Sequence, residues 1–216
     1  MPARRSRGAL VDNPRAEEDH NQPKQGPDHG NRRVNLTRKP QQKHEDRRNR
    51  QDKVAERLNQ ILQNTPAEST LLLENAASRN GKIGGELAEI QWLLNQLNSP
   101  RLGWCLDTCH AWAAGYHLTR SDQDDDADHP YLLAEIDRLK LWDALRVVHV
   151  NDSRDLFASN RDRHGNLGDG EIGSDRFKEF LSDDRVLQRP LILEVPGIEG
   201  EGPDAENVRR LRGLVG

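Results

Sequence analysis

The sequence predicts a parallel α/β fold, and three observations carry that reading. From about residue 52 onward, short apolar runs alternate with stretches of helical periodicity, four times in succession. The runs are nearly continuous in apolar residues, as strands are when helices cover both faces of their sheet. Each run also closes on a carboxylate or an imidazole, and chemistry in such sheets gathers at the C-terminal strand ends.

The first fifty residues stand apart. They hold eight hydrophobic residues, no aromatic one, 13 Lys and Arg and seven Asp and Glu, a charge of about +6. The remainder carries 19 Lys and Arg and 29 Asp and Glu, about −10. So little apolar surface cannot offset chain entropy, and residues 1–51 are expected to form a disordered basic segment. Such an arm could neutralise nucleic-acid phosphates, although the acids scattered through it favour a solvated tail. His20, His29 and His44 read as surface histidines.

Order is expected from Asp52. Val54, Leu58, Ile61 and Leu62 form one helical stripe that Thr65-Pro66 ends. Thr70–Glu74 reads as a short buried strand, followed by a loop from Asn75 to Gly85 that holds three glycines. Leu87, Ile90, Leu94 and Leu97 mark a second helix. Leu102–Leu106 is the clearest strand of the chain and runs straight into Asp107-Thr108-Cys109-His110, where a short helix begins. The acidic loop Asp122–Asp128 lacks the glycine and closing glutamate of a calcium loop and reads as solvated. Leu132, Leu133, Ile136 and Leu139 give a further helix, Arg146–Val150 a strand, and Phe177, Phe180 and Leu181 a helix after the long loop Asn151–Gly173. Pro190–Val195 is the fourth strand, and Val208, Leu211 and Leu214 lie on the last helix. The four tryptophans read as packing residues, and His117 and His129 as surface or supporting groups.

At 33% hydrophobic and 31% charged residues, no apolar run reaches the roughly 18 residues that a membrane span needs. No apolar core of a secretory signal is present. Cys105 and Cys109 lack the spacing of a zinc ribbon, and a strand end and a helix start do not favour a disulfide between them. A reducing, cytoplasmic setting is therefore expected.

The strand ends deliver Glu74, Asp107, His149 and Glu194. His110 follows Asp107 by three positions, and the long loop adds Asp162 and His164. One such pair is weak evidence, because a helix cap and a structural histidine look alike. Four strands of four, each ending in a ligand type, point to a metal rim. Oxygen and nitrogen donors without thiolate suit zinc or manganese.

The motifs as they stand resemble endonuclease IV. They are Leu73-Glu74-Asn75; Cys105-Leu106-Asp107-Thr108-Cys109-His110-Ala111 with Ala114-Gly115-Tyr116; His149-Val150-Asn151-Asp152-Ser153; Asp162-Arg163-His164 with Leu167-Gly168-Asp169-Gly170-Glu171-Ile172-Gly173; and Pro190-Leu191-Ile192-Leu193-Glu194. The resemblance runs from about Asp52 to the C-terminus and implies a TIM-barrel, zinc-dependent apurinic/apyrimidinic endonuclease. It implies a three-zinc rim in which Glu74 bridges two ions, Asp107, His149 and Glu194 complete the second, and His110, Asp162 and His164 hold the third. Glu74 and Glu194 are the implied catalytic residues, with Glu194 orienting the attacking hydroxide. The implied substrate is double-stranded DNA with abasic sites, cut 5′ to the lesion in base excision repair.

The departures are equally specific. Only the last four βα units of an eight-unit barrel are legible, so residues 52–216 read as a half barrel of a truncated or frame-disrupted member. The first zinc keeps Glu74 alone, leaving two of the three sites. Weak or absent activity is expected, and oligomerisation is a route to cover the open sheet edges. The alternatives are a sugar-isomerase-like metal barrel, against which the Asp-Thr-Cys-His and Asp-Arg-His motifs count, and a non-catalytic remnant.

Overall fold

The computed structural model describes residues 40–79, 81–120 and 129–216. The basic arm with His20 and His29, the side chain of His44 and the acidic loop 122–128 lie outside the described residues.

The elements alternate as expected. Helix α1 (Pro40–Asn64) leads into strand β1 (Leu71–Glu74), α2 (Leu87–Leu97), β2 (Leu102–Asp107) and α3 (Thr108–Ala113). Helix α4 (Leu132–Arg138) precedes β3 (Leu145–His149), and a hairpin of β4 (Asp152–Ser153) and β5 (His164–Gly165) follows. Helices α5 (Gly173–Phe180) and α6 (Asp184–Leu187), strand β6 (Leu191–Ile192) and α7 (Ala205–Val215) complete the chain. Strands β1, β2, β3 and β6 form one sheet in that order, every pair parallel. The fold is thus of the α/β TIM-barrel type, present as four consecutive strands.

Register places chemistry at one end. Glu74 stands beside Cys105, and Asp107 beside His149. Side chains alternate across a strand, so Leu73, Trp104, Leu106, Val148 and Leu191 turn towards the helices and pack in the core. There Trp104, Leu132, Ile136, Leu145, Phe177 and Phe180 are fully buried. All six residues of β2 are buried, as its unbroken apolar run requires. The Trp104 indole donates to the Leu141 carbonyl at 2.9 Å, so this large ring enters the core without an orphaned N–H.

Four features differ from the expectations. Helix α1 starts at Pro40 rather than near Asp52. A proline suits a first helical position, and Arg47 ties this polar turn down by binding Glu86 and Glu89, the latter at 2.9 Å. Strand β6 is only two residues long. Beyond it the Glu194 N–H turns to the Asn151 side chain at 2.8 Å instead of a neighbouring strand. The long loop carries the β4–β5 pair, and α6 is an additional helix capped by Asp183. His117, read as a surface or supporting group, is not at the surface: it is buried and stacked on Phe157 at 3.9 Å between ring centres.

Trp104→Ala should lower unfolding free energy by about 3–5 kcal/mol in urea titration, the usual cost of a large aromatic lost from a core. Leu156→Ala, at a side chain 70% exposed, should change it by less than about 0.5 kcal/mol.

Candidate metal centre

Seven side chains converge where the parallel strands end. Glu74, Asp107, His149 and Glu194 offer ligand atoms that lie within 4.8 Å of one another, and so do His110, Asp162 and His164. In the first group Glu74, Asp107 and His149 end β1, β2 and β3, and Glu194 lies two residues beyond β6. The second is assembled differently: His110 sits on α3, while the β4–β5 hairpin brings back Asp162 and His164. A third grouping of Asp107, Cys109 and His164 also exists. Burial pushes the Cys109 thiol up to about 12, and its S–H lies 3.7 Å from the Arg163 carbonyl, so it stays a protonated donor rather than a ligand.

The histidines are aimed by their far nitrogens. His164 Nδ1 contacts the Glu194 carbonyl at 3.1 Å, and His110 Nδ1 the Asn75 carbonyl at 2.9 Å. A proton on each Nδ1 leaves Nε2 with its lone pair facing inward. Both Nε2 atoms are buried without a hydrogen-bond partner, as is His149 Nδ1. What they face is carboxylate oxygen: Asp162 at 3.1 Å from His110 and 3.4 Å from His164. His149 Nδ1 faces Glu194 at 3.1 Å, Glu74 at 3.6 Å and Asp107 at 3.8 Å. Lone pairs meeting carboxylates at these distances require a positive charge between them, a proton or a metal ion.

At His110 and His149 a proton supplies that charge in the metal-free chain. Burial opposes a charged His110, but Glu74, Asp107 and Asp162 outweigh it and hold its pKa at about 9. His149, beside Cys105 and Glu74, is raised to about 10. The same two imidazoles pull Glu74 down to about 2. Asp107 is fully buried, and that burial pushes its carboxyl up against the pull of His110 and His164.

Comparison with known proteins identifies the family. The model of the xylose isomerase-like TIM barrel family matches residues 28–214. The chain belongs to that family. Its curated relatives include a probable endonuclease 4 of Halothermothrix orenii, 36% identical over 162 residues, which is 74% of this chain and 56% of that one. Another, from Thermosipho melanesiensis, is 39% identical over 131 residues, 60% of this chain and 44% of that one. The crystal structure of endonuclease IV from Thermus thermophilus superposes with a TM-score of 0.62 at 33% identity, covering 76% of this chain and 57% of the other. The resemblance to endonuclease IV read from the motifs is thereby confirmed. The chain spans about half the length of the curated relatives it matches, and the family match reaches back beyond Asp52 into the N-terminal segment.

In this member of the xylose isomerase-like barrels, two asparagines that the sequence reading passed over lash the rim together. Asn75 accepts from the Asp107 N–H at 2.7 Å and donates to the Asp107 carbonyl at 3.0 Å. Asn151 donates to Asp107 Oδ2 at 2.6 Å and accepts from the Glu194 N–H at 2.8 Å. Thr108 completes the clip, its hydroxyl donating to the Asn151 carbonyl at 2.7 Å. The other Asp107 oxygen accepts the His110 N–H at 2.8 Å and so caps α3. The hairpin has its own anchor. Buried Asp152 accepts the N–H groups of Ser153, Gly168, Gly170 and Ile172 at 2.8–3.1 Å. Gly170 approaches so closely that a Cβ there would lie 2.5 Å from Asp152 Oδ1. The signal in the sequence was an asparagine directly after one ligand and two positions after another.

Asn151→Ala should weaken divalent-ion affinity about 10- to 100-fold, the usual effect of removing a group that orients a ligand, as measured by competition with a chromogenic chelator. Protons and metal compete for the same atoms. Calorimetry in buffers of different ionisation heat should therefore show proton release on metal binding below about pH 9, fading above about pH 10. The metal-free fold should follow the matching sign. His110 and His149 contribute fully below their ordinary value of 6.5, and that stability is lost as pH rises through about 9 and 10. Glu74 contributes above 4.5, and its part is lost as pH falls through about 2.

Proposed function

We propose that this chain is a metal-dependent DNA-repair hydrolase that cleaves the phosphodiester 5′ to abasic sites in duplex DNA. The observation that carries the reading is the convergence of seven oxygen and nitrogen donors on one rim, with three buried imidazole nitrogens left facing carboxylates. Relatives named endonuclease 4 support it. Asp107, His149 and Glu194 hold one ion together with Glu74, and His110, Asp162 and His164 hold a second.

Zinc, or manganese in its place, supplies when bound a charge that lowers the pKa of water and offsets the phosphate. The chain's own residues do the positioning. Glu74 and Glu194 are half-exposed on the solvent side of the rim, where a phosphate approaches, while Asp107 behind them is shut off from water. Glu194 orients the attacking water and accepts its proton, and its backbone carbonyl at the same time sets the His164 tautomer. Asp162, the most exposed of the seven, closes the second site from the surface. Arg154 and Arg161 lie exposed on the hairpin that carries Asp162 and His164, and they add positive charge for the DNA backbone. No described helix is long and apolar enough to cross a membrane, and two free buried cysteines suit a reducing, cytoplasmic setting.

The test is nicking of a duplex with one abasic site after reconstitution with zinc or manganese. Cleavage 5′ to the lesion, lost on chelation and lowered at least about 10²-fold in Glu194→Gln, is the expected result. Full activity in that variant would remove Glu194 from its role. Aldose–ketose interconversion without nicking would transfer the rim to the sugar-isomerase reading.

A further inference from the structure

Of the three residues in the second centre, His110 sits on α3 and His164 on β5, but Asp162 lies between β4 and β5, outside both strands. Its side chain is 54% exposed, and its aim is set by the chain on either side. On the C-terminal side the Arg163 carbonyl accepts the Arg154 N–H at 3.0 Å, where the hairpin ladder begins. On the N-terminal side stands Asn160, exposed to solvent and with a φ of +58°. Ala158, two residues earlier, has a φ of +55°. Two residues with side chains so close together in the left-handed region make a strained tip. Such a tip persists only where its surroundings hold it.

What holds it are two elements that carry ligands of their own. The N–H groups of Ala158 and Asn160 donate to the Trp112 and Ala113 carbonyls at 3.1 and 2.9 Å, at the end of the helix that bears His110. The Asn160 amide nitrogen donates to the Ala158 carbonyl at 3.0 Å and closes the tip on itself. Its amide oxygen reaches much further along the chain. It accepts the Ser78 hydroxyl and the Arg79 N–H, both at 3.2 Å, from 82 and 81 positions away. Ser78 and Arg79 belong to the loop that follows Glu74, and both are firm partners. Ser78 is buried, and Gly85 packs so closely on its carbonyl that a side chain there would collide with it. The Arg79 guanidinium lies over the Tyr116 ring, 4.5 Å from its centre, and the Tyr116 hydroxyl accepts the Leu87 N–H at 3.0 Å.

We propose that Asn160 is a positioning residue for the second metal centre: it braces the hairpin tip against the loop after Glu74 and so holds Asp162 facing His110 and His164. The inference rests on the metal-dependent reading above and adds the group that sets one ligand's aim. Asp162 follows Asn160 by two residues, and its carboxylate must stay beside two imidazole nitrogens, 3.1 and 3.4 Å away. A tip released from Ser78 and Arg79 loses that constraint, whereas Glu74, Asp107 and His149 keep theirs through strand register. Asparagine meets three demands at once. It visits the left-handed region more readily than most residues, its oxygen accepts two donors, and its nitrogen supplies one. Glycine meets only the first demand, aspartate the first and second. That difference separates bracing by the side chain from the conformation of the backbone.

Calorimetric titration of the whole metal-free chain with zinc tests this without reference to activity. The binding step that disappears in His164→Ala marks the second centre. Asn160→Gly should weaken that step about 10-fold or more and leave the other step and the far-ultraviolet circular dichroism spectrum unchanged. Asn160→Asp should bind both ions as the parent does. Hydrogen exchange of the metal-free chains should show the Arg79 amide less protected in Asn160→Gly than in Asn160→Asp. Should Asn160→Gly fail to fold, Ser78→Ala, which removes one of the two donors, is expected to weaken the same step less severely. A glycine variant that binds both ions like the parent overturns the proposal. So does one in which both steps weaken equally, because the residue then only shapes the fold. A parent chain that takes up no ion overturns both this proposal and the metal-dependent hydrolase. Two ions with the expected order of variants, but no nicking of abasic duplex, leave the proposal standing and remove the hydrolase reading alone.

Discussion

Four carboxylates and three imidazoles share the rim of this protein, and the crowding of negative charge around Asp107 is the constraint on which the rest depends. Asp107 is shut off from water, and burial alone would drive it to its neutral form. It is kept useful by what surrounds it: the Asn151 amide on one oxygen, the His110 N–H on the other, and imidazoles beyond. A parallel sheet is suited to this, because all its strands end on the same side and bring residues distant in sequence to one place. The core beneath holds those ends in position. Fold and site are therefore one object, and the negative charge crowded at the rim is met by imidazoles held towards their charged form.

The parts of this arrangement that depend on local pattern were legible in the sequence. Leu102–Leu106 announces a buried strand through its unbroken apolar run, and the structure buries all of it. The four strand-end residues could be picked out because apolar runs end abruptly on charge. What escaped depends on partners far along the chain. Asn75 and Asn151 look like ordinary loop residues until Asp107 and Glu194 are seen beside them. The early start of α1 comes from Arg47 meeting Glu86 and Glu89 across about forty positions, which no helical stripe records. Strand β6 is short because Asn151 takes a backbone N–H that the ladder would have used. His117 is buried by aromatic neighbours from another loop, again a contact without a local signature.

The two halves of the site are built on different principles. The group around His149 is fixed by strand register and moves only if the sheet moves. The group around His164 hangs on a two-residue hairpin, held by the four amides that converge on Asp152. The hairpin and the sheet are joined through Asp107, which faces both His149 and His164. A disturbance of the loop is thus passed to the sheet-borne group through that carboxylate and through the Glu194 carbonyl that contacts His164.

The alternation of side chains along the strands has a consequence for how the molecule assembles. Because Asp107 stands beside His149 and Ile192 stands beside that same histidine, a one-residue slip of any strand would turn its ligand away from the rim and into the helix layer. Misaligned chains would then present scattered single donors with little hold on a divalent ion, while only the native alignment gathers all of them. Any divalent ion that the rim takes up would therefore favour chains folded in register over slipped ones.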